Sequence, residues 1–390
     1  MLLALTLALL GGSPRLDAGV ARPEWLVQFE ALRPQKPPLK FELAELDHLV
    51  RFCALGPART KAELAKLEPF ARYQLGRRML LLAAVAPQLR PAVEALAAPA
   101  VREAVLARHA RLEPMLSKPA EALTALAARL RAAVVQVRVE LQDTLTDEER
   151  RQVVATRGFF SPAPPIDDPG TLVFTAQALD ALADAVLGIR YEQTEVALPM
   201  GEEGKKLYGD HNTYIDEGKS YHAVQTPYAD LARVMDAFAL KSGDRIVDLG
   251  SGYGRICFYV AATRPGVECV GYEIVEQRVV ESARVARALG FDQVTFEARD
   301  LTDPALTPVA AGFYFAYDPV NYRVVGKVLA DLEALARVQP LRLAAVEGRG
   351  GFHALLRKQP WLKKVQTVAT VRWTGMLPPI FIFESVAAAK

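Results

Sequence analysis

Cysteine is scarce in this chain. Cys53, Cys257 and Cys269 are the only three in 390 residues. They show neither paired spacing nor a metal-ligand pattern, which argues against a disulfide framework and gives no metal site. Each falls in an apolar or helical context, so buried free thiols in a reducing compartment are expected. An excess of charge is also missing: 47 Lys and Arg face 45 Asp and Glu, a net charge of +2. No global field draws such a chain to nucleic acid or an anionic membrane, so neither is an expected partner. Long apolar runs are absent too. The stretch Leu2–Leu10 stops at Gly11-Gly12 and is far too short to span a bilayer as a helix. No Lys or Arg precedes it and no clear small-x-small cleavage site follows. A mis-assigned start or a buried helix therefore competes with a signal peptide. No convincing fixed-period repeat is present.

What is there is ordinary for a soluble globular protein, with 51% hydrophobic and 24% charged residues. The length allows two or three domains. Residues from about 40 to 160 read as Ala/Leu/Arg-rich helices. The apolar positions Leu123, Leu126, Leu130, Val134, Val137 and Leu141 recur every three or four residues and make one helical stripe. Thr146-Asp147-Glu148-Glu149 has capping-box form and predicts a helix from Asp147. Pro87, Pro91, Pro99, Pro114 and Pro119 cut the preceding stretch into short pieces. The Pro- and acid-rich run Ser161–Gly170 reads as a boundary. This predicts an N-terminal all-α domain over 1–160, a linker with one helix (Thr175–Leu187) over 161–204, and a second domain over 205–390.

From Asp244 onward short apolar strands alternate with helices. The strands read as Arg245–Leu249, Glu268–Glu273, Val294–Ala298, Phe313–Tyr317 and Leu341–Val346, with helices such as Glu276–Leu289 and Tyr322–Arg337 between them. That alternation predicts an α/β domain whose parallel sheet is covered on both faces. Two further strands, Val365–Trp373 and Ile380–Val386, are joined by the short Thr374–Pro379 connection, which suits an antiparallel pair.

Ile246-Val247-Asp248-Leu249-Gly250-Ser251-Gly252-Tyr253-Gly254-Arg255 is the most informative decapeptide. A strand enters a glycine-rich turn and leaves it as a helix. Glycines permit positive φ and let a ligand approach without meeting a Cβ. No Gly-Lys-Ser/Thr is present, which argues against a triphosphate loop, and Arg255 occupies the third glycine position of the dinucleotide fingerprint. A ligand-free glycine turn stays open as the plain alternative. Acids then stand at successive strand ends: Glu273 about 20 residues on, Asp300 after the third strand, and Asp318 in Tyr317-Asp318-Pro319 after the fourth.

The Gly-x-Gly-x-Gly spacing behind Asp248, with these acids downstream, resembles class I S-adenosylmethionine (SAM)-dependent methyltransferases over roughly residues 205–390. The resemblance implies a Rossmann-like, seven-stranded, mostly parallel methyltransferase sheet. It also implies SAM as cofactor and a cytoplasmic setting, where SAM is made. It places Gly250, Gly252 and Gly254 around the methionine portion, Glu273 at the ribose and Asp300 at the adenine, with Asp248 and Ser251 also among the cofactor-binding residues. Tyr317, Asp318 and Pro319 fall at the position next to the transferred methyl.

In that last motif the sequence Asp318-Pro319-Val320 keeps an acid and one proline but lacks the second proline of DNA and some protein amino-methyltransferases, which weakens a nucleic-acid reading. A Tyr208-Gly209 segment ahead of Asp248-Leu249-Gly250-Ser251-Gly252 is similar to non-SET protein-lysine methyltransferases, which implies a protein lysine as acceptor. His211 and His222 lie in the same polar, aromatic segment, which reads equally as a lid or an ordinary loop. Glu347–Gly351 reads as a substrate-side loop or a plain turn. Methylation of a small molecule and a non-catalytic SAM-binding scaffold remain the alternatives.

Overall fold

A computed structural model describes residues 43–161, 169–196, 198, 203, 208, 225–320, 325–346, 352–368, 370 and 379–386. The expected Leu2–Leu10 stretch, His211, His222, residues 347–351 and most of the connection at 374–379 lie outside these residues. The chain divides into two compact units. One comprises Met1–Thr146 with Ala163–Val186, the other Asp147–Pro162 with Leu187–Lys390. The units therefore interleave along the sequence.

The first unit is helical throughout its described residues. It runs α1 (Leu43–Cys53), α2 (Pro57–Ala65), α3 (Pro69–Val85), α4 (Arg90–Leu96), α5 (Pro99–Leu106), α6 (Glu113–Ser117) and α7 (Pro119–Thr144). Prolines open α2, α3, α5 and α7, where the missing N–H removes no helical hydrogen bond. All six residues of the Leu123–Leu141 stripe are buried, and α7 packs on α3. The stretch Pro69–Leu96 is long and apolar enough to cross a bilayer. It is broken by the 3-10 turn Ala86–Leu89 and buries Tyr73, Met79 and Leu82 in the unit's own core.

Helix α8 (Asp147–Ala155) belongs to the second unit, whereas most of α9 (Pro169–Leu187) belongs to the first. Helix α9 starts six residues earlier than its apolar pattern predicts. Its Pro169-Gly170 pair, which reads as a breaker, instead occupies the first turn, where proline is tolerated. The second unit continues with α10 (Tyr191–Val196), α11 (Tyr228–Phe238), β1 (Arg245–Leu249), α12 (Arg255–Thr263), β2 (Glu268–Glu273), α13 (Glu276–Leu289) and β3 (Val294–Ala298). It ends with β4 (Phe313–Tyr317), α14 (Val325–Val338), β5 (Arg342–Val346), α15 (Phe352–Leu356), β6 (Leu362–Val368) and β7 (Ile380–Ser385).

Seven strands form one sheet in the order β3-β2-β1-β4-β5-β7-β6. The first five pair in parallel and β7 runs antiparallel between β5 and β6. Strand β6 begins three residues before its expected start, and residues 371–373 of the expected span lie outside the described residues. The strand lies at the sheet edge with Lys363 and Lys364 exposed, so its hydrophobic pattern is weak. From β1 the chain proceeds to β2 on one side, while β4 lies on the other. That reversal opens a crevice beyond the carboxyl ends of β1 and β4.

The cysteines depart from expectation. Cys257 on α12 and Cys269 on β2, both fully buried, form a disulfide instead of remaining free, and Cys53 is the free thiol. Helix α12 folds back onto the strand that follows it, bringing their Cα atoms to 5.3 Å across a sequence separation of 12. Linear spacing does not show this approach. Free thiols thus no longer support a reducing compartment, and the cytoplasmic expectation rests on cofactor supply alone. Burial pushes the Cys53 thiol up to about 11.

One histidine is held neutral within the fold. His353 on α15 stacks on Phe381 at 3.7 Å between ring centroids. Burial, aided by Arg357 and Lys364, lowers its pKa from 6.5 to about 4. The unfolded chain therefore binds a proton that the folded chain refuses, and stability is lost as pH falls from 6.5 toward 4. The expected cost is at most ~1.4 kcal/mol per pH unit. His353→Phe, which retains the stack, should flatten this acid limb in urea midpoints taken at pH 7, 5.5 and 4.5. An unchanged slope would show that His353 does not set it.

Candidate active site

The buried strand β1 carries Val247 and Leu249 into the sheet core and delivers the chain to the glycine turn. There Gly250, Gly252 and Gly254 have φ of +86°, +53° and +78°. The amides of Gly250 and Ser251 both donate to the Tyr272 carbonyl, at 2.9 and 2.8 Å, tying the turn to β2. A Cβ on Gly250 would lie 3.1 Å from the Pro319 Cβ, and one on Gly254 would lie 2.4 Å from Phe296 Cζ. These two glycines are required by the protein's own packing. A Cβ on Gly252 would meet nothing within 4 Å. Its absence leaves room for something other than the protein.

Three carboxyl groups surround this space from adjacent strands. Asp248 on β1 is 2% exposed, Glu273 at the tip of β2 is 7% and Asp318 just after β4 is 2%. Glu273 is oriented by two backbone amides: Oε2 accepts from Gly252 N at 2.8 Å and Oε1 from Val275 N at 3.0 Å. Burial raises the Asp248 carboxyl well above the usual range, and the charge of Glu273 adds to the rise. Asp318 has a left-handed backbone, φ +44°, a conformation costly for most side chains and more accessible to Asp. Such strain concentrates at functional sites.

Asp248, Gly250, Ser251, Gly252 and Glu273 line a single crevice, and Tyr317, Asp318 and Pro319 line it as well. Gly254 and Asp300 lie outside its wall. Gly254 packs under Phe296, and the Asp300 Oδ1 accepts from the Thr302 amide and hydroxyl at 2.7 and 2.6 Å. The neighbouring Arg299 lines the crevice instead. Sequence reasoning misses Arg255 and Arg278, which are also wall residues. Arg255, the residue that breaks the dinucleotide fingerprint, is buried. It stands 5.1 Å over the Tyr228 ring and reaches the Thr226 carbonyl at 3.5 Å. It thereby joins the glycine turn to the segment leading into α11. Tyr208, expected in a lid or loop, is buried against Leu198 and Val275.

Residues 240–317 match a family model described as a methyltransferase domain. No curated protein matches the chain. Among solved structures, the chain is similar to TrmN from Thermus thermophilus at 20% identity, with a TM-score of 0.34. That match covers 40% of this chain and 48%, about half, of TrmN. A SAM-dependent methyltransferase from Aquifex aeolicus matches at 17% identity over 40% of this chain and 88% of its own, with a TM-score of 0.32. An RNA methyltransferase from Salinibacter ruber, in complex with S-adenosyl-L-homocysteine, matches at 21% over 43% and 96%, with a TM-score of 0.31.

The Asp248 environment gives a direct test of the site's electrostatics. An acid whose folded pKa is raised destabilises the fold once pH exceeds its unfolded value of 3.8, because the unfolded chain ionises first. Asp248→Asn removes that titration. Its melting temperature relative to the parent should climb between pH 4 and pH 8 by several degrees. A difference that stays flat across the range contradicts the buried-carboxyl assignment.

Proposed function

We propose that the chain, whose residues 240–317 match a methyltransferase-domain family model, is a SAM-dependent methyltransferase of an amine, specifically a lysine side chain of a protein acceptor. We assign the transfer to the domain spanning 205–390. The observation that carries the reading is the ring of three buried carboxyl groups around the open face of Gly252. The wall carries Arg255, Arg278 and Arg299 as well as the acids, and the carboxyl groups beside the space left by the missing Cβ suit the positive parts of a ligand and a cationic acceptor.

SAM supplies an electrophilic methyl on a sulfonium, together with an amino group and a ribose diol. This chain's residues fit those parts. Asp248, Gly250, Ser251 and Gly252 would take the methionine portion, with the Asp248 carboxylate facing positive charge. Glu273, its oxygens fixed by two backbone amides, would accept the ribose hydroxyls. Asp300 is assigned to the adenine side, next to the wall residue Arg299.

On the acceptor side, Asp318 follows β4, with Tyr317 and Pro319 on either side of it. An ammonium group must lose a proton before its nitrogen carries a lone pair. Burial lowers an amine's pKa, and a carboxylate within hydrogen-bond reach can orient it and take the proton. SAM would supply the methyl electrophile, and Tyr317, Asp318 and Pro319 would hold the deprotonated amine nitrogen toward it. Alignment and exclusion of water carry the catalysis.

Radiolabelled methyl transfer into a fractionated lysate tests activity and acceptor class together. Label is expected in protein, as methyl-lysine after hydrolysis. Label confined to the low-molecular-weight fraction would replace the protein acceptor with a metabolite. Asp318→Ala should lower turnover at least ~10²-fold while SAM affinity stays within a few-fold. Retained turnover would remove Asp318 from the chemistry. Gly252→Arg should fold and lose SAM binding in calorimetry; undiminished affinity would move the cofactor elsewhere.

A further inference from the structure

Glu195 lies on α10, outside the residues matched by the methyltransferase family, yet its buried carboxylate reaches into the glycine turn. Its Oε1 accepts from the Tyr253 hydroxyl at 2.6 Å, and Tyr253 stands between Gly252 and Gly254. Arg278 on α13 grips the same carboxylate with two donors, Nε to Oε1 at 2.8 Å and Nη2 to Oε2 at 3.2 Å. One helical turn earlier on α10, Tyr191 packs edge-on to the Tyr253 ring at 4.5 Å. The guanidinium of Arg278 lies 5.7 Å from the centroid of that ring. Two residues on one face of a short helix thus hold the middle of the turn.

The charge geometry is the informative part. Arg278 stands between two carboxylates, with Nη1 3.9 Å from Glu273 Oε1 while its two-point pairing is with Glu195. Two-point pairing of a guanidinium with one carboxylate is strong and orientationally specific. While Glu195 holds Arg278, that cation is kept back from a full pair with Glu273. Without the Glu195 charge, Glu273 would be the nearest carboxylate to a buried cation. A buried cation left unpaired is costly, so the two would close on each other. The oxygens of Glu273 would then face Arg278 instead of the crevice.

We infer that Glu195 is a positioning residue for cofactor binding: by engaging Arg278 and Tyr253 it keeps the Glu273 carboxylate directed at the ligand diol. The inference rests on the proposed role of Glu273. Calorimetry with S-adenosylhomocysteine tests it on the full chain. Glu195→Gln retains an acceptor for Tyr253 but releases Arg278, and should weaken binding by about tenfold. The double variant Glu195→Gln/Arg278→Met removes the competing cation as well, and should bind at least about threefold more tightly than Glu195→Gln even though Arg278 lines the crevice. Glu195→Asp, which keeps the charge, should remain nearer the parent than Glu195→Gln. A role confined to holding the fold would leave the double variant no better than the single one, and that result overturns the inference. If Glu195→Gln does not fold, Glu195→Asp against the parent decides: a loss of tenfold or more with the charge retained overturns it. Unchanged affinity in a folded Glu195→Gln does the same. Absence of binding by the parent itself would instead bring down the cofactor reading, and this inference with it.

Discussion

Burial of negative charge at one end of a parallel sheet is the constraint around which the second unit is arranged. Three adjacent strands, β2, β1 and β4, each bring a carboxyl group to the same crevice, and all three groups are nearly removed from water. Burial of carboxylates weakens the fold unless their charge is neutralised or met by hydrogen bonds. The chain answers only partly, with Arg278 beside Glu273 and backbone amides directed at its oxygens. Asp248 is left with a strongly raised pKa. A cation entering the crevice would relieve that cost, so ligand affinity and stability are coupled at this point.

The glycine turn meets a second demand, close approach. Its amides are pinned to the Tyr272 carbonyl, its first glycine abuts Pro319 and its last lies under Phe296. The turn is therefore fixed from β2, β3 and the end of β4 at once. Tyr253 adds a fourth tether through Glu195. A rigid turn positions the ligand without an ordering cost at the moment of binding. Rigidity of this kind also explains why the strained backbone of Asp318 persists: Pro319, next in sequence, is packed against Gly250.

Much of this is legible in the amino-acid sequence. Strands β1 to β4 and helix α13 fall at the expected residues: β1 and β4 are short, largely buried apolar runs, β2 and the partly exposed β3 stand in their places in the strand–helix alternation, and α13 has an amphipathic period. The glycine turn and the acids at 248, 273 and 318 are readable too, since each follows directly from a strand end. What stays hidden depends on tertiary approach. The Cys257–Cys269 bond requires a helix to fold back on the next strand. Arg278 reads as one more cation on a helix surface until the crevice is seen. Glu195 is far ahead of Glu273 along the chain, in a polar hexapeptide without any motif. The exchange of α8 and α9 between units likewise has no local mark, because it is set by which core each helix face meets. The edge strand β6 is hard to delimit because solvent on its outer side removes the alternation that announces a strand.

The contrast among the three glycines separates two kinds of selection within five residues. A library screened only for folded protein would reject almost any side chain at Gly254, where Phe296 leaves no room. At Gly252 the same screen would admit small polar residues such as Asn, at the ~1–2 kcal/mol that a left-handed backbone costs an L-residue. Folding alone therefore has little means of keeping Gly252 in the chain. A side chain placed there would be felt first by whatever enters the crevice and only weakly by the fold.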